Sequence, residues 1–79
     1  MIHLNKIVKE KNNITCIAFV EDCKQSVQVS LDITTQELEE IRLPQGYEWC
    51  TAHIRHAKQY LISLIGENSV PESRTIMWY

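Results

Sequence analysis

The sequence predicts an α+β domain: an antiparallel sheet of about four strands with one long helix packed on one face and one short helix, in the order β-β-β-α-α-β with the short helix first. Three observations carry this expectation. Val27 to Ile33 alternates apolar and polar residues with a period of two, as a half-buried strand does. Ile14 to Val20 is apolar on both faces. Tyr47 to Ile65 repeats apolar residues at helical spacing and is followed by Arg74 to Tyr79, a short run with strand character.

The elements follow in chain order. Ile2 to Lys9 has the apolar content of a strand in Ile2, Leu4, Ile7 and Val8, and Lys11-Asn12-Asn13 supplies a turn because Asn tolerates left-handed backbone. In the second strand Cys16, Ala18 and Val20 share one face and Ile17 and Phe19 the other. Both faces of that strand then require cover, from the rest of the chain or from a partner. Glu21-Asp22-Cys23-Lys24 is a polar turn. The third strand points Val27, Val29, Leu31 and Ile33 inward and Gln28, Ser30 and Asp32 outward.

Thr34 and Glu37 stand at capping-box spacing, which predicts a short helix over Thr35 to Arg42 with a narrow apolar edge of Leu38 and Ile41. Pro44-Gln45-Gly46 ends it. Wound at about 100° per residue, the long helix aligns Tyr47, Cys50, Ile54, Ala57, Leu61, Leu64 and Ile65 on one stripe toward the core. Gly66-Glu67-Asn68 offers a left-handed terminus, and Ser69-Val70-Pro71-Glu72 connects to the last strand. The 79 residues fit a single domain, 1–79, of a size at which little apolar surface can be spared for a deep cavity. A non-enzyme is therefore expected.

Composition narrows the function classes. A net charge of −2 with a pI near 5.8 gives no global attraction for nucleic acid. Cys16, Cys23 and Cys50 are odd in number, lack C-x-x-C spacing and follow no signal-peptide-like segment, which points to a reducing, cytoplasmic setting. Cys16 and Cys50 sit at apolar-pattern positions and read as small core hydrophobes. No apolar run approaches the roughly 20 residues of a membrane span.

Of the chemistry-bearing residues, His53 and His56 lie three apart on the long helix with Cys50 another three before them. That pitch can serve a transition metal, but Cys50 points into the core stripe and no fourth ligand stands nearby in sequence, so no metal or other cofactor is expected. A Cys50–His53 nucleophilic pair would lack a Gly-rich turn for an oxyanion. Glu37, Glu39 and Glu40 read as a solvated face. His3, Asn5, Lys9, Phe19, Trp78 and Tyr79 could form a stacking platform for nucleic acid on the sheet, against the overall charge.

The expectation is a small non-enzymatic protein that acts by contact with a protein partner, as a regulator or inhibitor, and that forms a homodimer. Its interaction surface is the helix flank of Trp49, His53, His56 and Tyr60, with Ile17, Phe19, Trp78 and Tyr79 as further contacts on the sheet. Nucleic-acid binding through an aromatic sheet face and His-dependent metal binding are the alternatives.

Overall fold

The structure, a computed structural model, describes residues 1–78. Tyr79 lies outside the described residues. Strands β1 (Ile2–Lys9), β2 (Asn13–Val20) and β3 (Val27–Asp32), helix α1 (Thr51–Ser63) and strand β4 (Arg74–Ile76) follow in chain order. All four strands pair antiparallel in the spatial order β3-β2-β1-β4. The α+β class and the four-stranded antiparallel sheet are as the residue pattern predicts.

One face of the sheet packs on α1. Ile2, Leu4, Ile14, Ala18, Val20, Val29 and Leu31 are fully buried there, together with Cys50, Ala57 and Leu61 from the helix side. A bulge in β1 sets this arrangement. Asn5 pairs with Ile17 but Val8 pairs with Thr15, so one extra residue is inserted, and Lys6 takes a positive φ of 53°. The insertion reverses the alternation: Ile7 joins Ile2 and Leu4 in the core, while Val8 turns to the opposite face, 48% exposed. It also brings Lys9 to the helix side, where its ammonium donates to the carbonyls of Ile65 and Glu67 (2.7 Å) just beyond α1. Those carbonyls gain a cation at the negative end of the helix.

The short helix does not form. Asp32 Oδ1 accepts the backbone N–H groups of Thr34 (2.8 Å) and Thr35 (3.0 Å), which a helix at this point would aim elsewhere. Gln36 then turns left-handed at φ 60°, and the chain returns along β3: Asp32 N–H donates to Glu37 O, Glu39 N–H donates to Ser30 O, and Leu38 bridges Leu31. Covering the open edge of β3 satisfies backbone groups that would otherwise remain unpaired. A narrow Leu38 and Ile41 edge offers too little burial to compete with that edge; both side chains instead pack partly buried against the core from an extended segment.

The long helix is also shorter than its apolar stripe. Gly46 adopts φ 87°, Tyr47 N–H donates to Pro44 O and Cys50 N–H to Tyr47 O, so the stretch before Thr51 is a pair of turns. The buried line along α1 runs through His53, Ala57 and Leu61, flanked by Cys50 and Leu64, and Ile54 is only partly buried. The stripe is rotated toward His53 because the last strand closes over that flank.

Candidate interaction surfaces

Two surfaces contain the residues singled out from sequence. The first is the helix flank. His53 is 5% exposed, its Nε2 3.1 Å from Glu21 Oε1, and the other oxygen of Glu21 lies 3.4 Å from the Met1 ammonium. Glu21 reaches this position from a tight turn after β2 in which its own φ is 49°. A neutral ring donating from Nε2 leaves Nδ1 as a buried acceptor, and Nδ1 has no hydrogen-bond partner among the described residues.

The His53 ring is held edge-on between Trp49 (centroids 5.4 Å apart, planes at 86°) and Trp78 (4.6 Å, 84°). His56 stacks on Trp78 at 4.2 Å and 16°, and the Arg74 guanidinium lies 5.3 Å over the Tyr60 ring. The flank is thus a seam between α1 and the β4 segment. His53, His56 and Tyr60 face other parts of the same chain, and only Trp49 stands well out, 63% exposed, with its indole N–H donating to Gly46 O at 3.1 Å.

The second surface is the sheet face opposite α1. Register places His3 beside Phe19, Asn5 beside Ile17, Ile17 beside Gln28, Val8 beside Thr15 and Thr15 beside Ser30, all on this face. His3 Nδ1 lies 2.9 Å from the Thr75 hydroxyl of β4 on the same side. Ile17 and Phe19 are half-buried and belong to no part of the core cluster. Where β2 and β3 meet the returning segment, Asn13, Thr15, Gln28, Val29, Ser30, Glu39 and Glu40 line an open groove of about 460 Å³.

Of the four sheet-face residues expected from sequence, Ile17 and Phe19 are here. Trp78 is not. Alternation from Ile76, which pairs with Ile2 on the core side, turns Trp78 toward α1 and against the two histidines. Tyr79 falls outside the described residues. The stacking platform is divided in the same way: His3, Asn5 and Phe19 share the open face, whereas Lys9 and Trp78 are engaged on the helix side.

The groove is hidden from sequence reasoning because Glu39 and Glu40 fall in a stretch that reads as helix. The alternation of Gln28 and Ser30 is the available signal. Glu21 gives no signal, since nothing in a polar turn marks a carboxylate that pairs with a histidine 32 positions later.

The thiols behave as fillers. Burial pushes the Cys16 thiol up to about 11 from its ordinary 9.0, and burial, aided by the nearby Glu21 carboxylate, raises that of Cys50 as well. No group of three or more His, Cys, Asp or Glu able to hold a metal ion occurs among the described residues. No helix there is long and apolar enough to cross a membrane. No known protein family, curated protein or solved structure matches the chain.

Proposed function

We propose that this protein acts through protein–protein contact rather than chemistry, and that its working surface is the sheet face opposite α1. The observation that supports this reading most is the one-sided packing. A single 13-residue helix covers one face of a four-stranded sheet, and the other face carries an exposed Val8 with half-buried Ile17 and Phe19, none of them part of the core. Apolar side chains at the centre of a polar rim are the usual composition of a contact surface. Regulation or inhibition of a larger protein is the role that suits so small a contact protein, in a cytoplasmic setting consistent with three free thiols.

The reading is tested with a photo-crosslinking side chain installed at position 19, on the open face, or at position 55, an exposed position on α1. Protein adducts from position 19 and none from position 55 are the expected outcome. Adducts to nucleic acid from position 19 would replace this reading with an aromatic-platform one, and protein adducts from position 55 alone would move the contact to the helix.

A further inference from the structure

We infer that the open sheet face docks one basic amphipathic helix of a partner protein, its apolar stripe on Phe19, Ile17 and Val8 and its Lys or Arg flank beside Asp32, Glu39 and Glu40. This rests on the contact reading above and names the chemistry of the partner. Paired rows on this face run His3–Phe19, Asn5–Ile17–Gln28, Val8–Thr15–Ser30 and Asn13–Asp32. The apolar residues therefore form one line, along β2 from Phe19 to Ile17 and across to Val8 on β1.

Backbone hydrogen bonding limits what can lie on such a face. An extended segment laid flat on Ile17 and Phe19 would press N–H and C=O groups against apolar side chains that cannot pair them. A helix pairs those groups internally and presents side chains alone. A second sheet does so too, but it needs area. Only β1, β2 and β3 run six residues or more. Three strands about 4.8 Å apart and about 20–26 Å long give roughly 300–400 Å² in projection. A stable protein interface buries about 800 Å² of accessible surface on each partner. Two copies face to face fall well short of that and meet only at roughly millimolar concentration.

The spacing of the apolar line fits a helix. Neighbouring residues on one face of a strand stand about 6.6 Å apart, and residues i and i+4 of a helix stand about 6 Å apart along its axis. Apolar positions i, i+4 and i+8 of a helix thus keep step with the rows of Phe19, Ile17 and Val8. A helix is about 10–12 Å across with its side chains, close to the width from β1 to β3 at about 4.8 Å per strand. The other face of the same sheet shows this match, since the 13 residues of α1 cover it.

Charge decides what the helix carries. In the three rows that hold the apolar line, His3 is the one ionisable residue, and its Nδ1 lies 2.9 Å from the Thr75 hydroxyl. The carboxylates at this face gather on the β3 side. Glu39 and Glu40 line the groove with Thr15, Gln28 and Ser30, and Asp32 pairs with Asn13 of the same groove. None of the three forms an ion pair among the described residues. A helix resting on Ile17 has one flank toward these carboxylates and the other toward Asn5. Lys or Arg on the first flank reaches the groove along its apolar stem and keeps its head hydrated. The apolar area is small and the charge pairs lie at the rim, so binding is on the order of micromolar and weakens with salt.

Selection of phage-displayed random peptides of about 16 residues against the full chain tests the inference without assuming a helix. Enriched peptides should repeat apolar residues every three to four positions and carry Lys or Arg along one flank. Their affinity should fall about tenfold or more against Glu39→Lys with Glu40→Lys, and likewise against Phe19→Lys, while Trp49→Ala on the helix flank changes it by less than about twofold. Circular dichroism melting confirms that each variant folds. Peptides of period two, or acidic ones, whose binding Phe19→Lys abolishes would overturn the docked helix and leave the open face as the contact surface. Peptides abolished by Trp49→Ala and indifferent to Phe19→Lys would overturn both readings. No enrichment overturns the inference, with protein adducts from position 19 still deciding the contact reading. A dimer at micromolar concentration in sedimentation runs would overturn it as well and put a second copy on the face.

Discussion

At the scale of single residues, Cys16 shows how burial decides chemistry. It pairs with Val29 and is buried in the core, and that burial holds the thiol protonated far above neutral pH. In the unfolded chain the same thiol ionises near 9.0, so between pH 9 and about 11 the unfolded state binds fewer protons than the folded one and stability falls as pH rises. Below pH 9 the thiol adds no pH dependence. Cys16→Ala should therefore lose stability less steeply than the unsubstituted chain across this window in alkaline urea titrations. Parallel slopes would mean that the folded thiol is accessible to hydroxide. The core role of Cys16 and Cys50 is legible in the sequence, because both sit in apolar patterns. The burial of His53 is not, since its partners Glu21 and Trp78 are brought to it only by the closed fold.

At the scale of elements, the last strand and the returning segment both do work that their length conceals. β4 is three residues long, yet the residue two beyond it, Trp78, closes the helix flank by contact with His53 and His56. Trp78→Ala should cost about 2 kcal/mol, below the range for a fully buried aromatic because Trp78 is only half-buried. Met77→Ala, at a side chain 63% exposed, should change stability by less than about 0.5 kcal/mol. Urea melts of the two variants compare them directly, and equal effects would show that the flank is not a structural seam. The sheet strands are readable from alternation, and β1 to β3 lie within a residue or two of their expected limits. The segment from Thr34 to Arg42 is not readable in this way. A capping-box spacing is a local signal, whereas the exposed edge of β3 is a demand that exists only after the sheet has assembled.

For the whole molecule, one helix against one sheet leaves a face uncovered, and this imbalance is visible in the apolar residues on both sides of β2. The polar groove beside it is not, because Glu39 and Glu40 acquire their place only when the chain doubles back along β3. On one side the return covers β3, and on the other the edge strand β4 is only three residues long and offers little to an added strand, so strand addition at an edge is disfavoured and the open face is what remains for a partner. Backbone amide NMR shifts followed while the protein is diluted from millimolar to micromolar concentration test this most directly. The expected result is a set of concentration-dependent shifts at Asn5, Ile17, Phe19 and Gln28 with α1 unmoved. Shifts confined to Trp49 through Tyr60 would contradict the account and return the working surface to the helix.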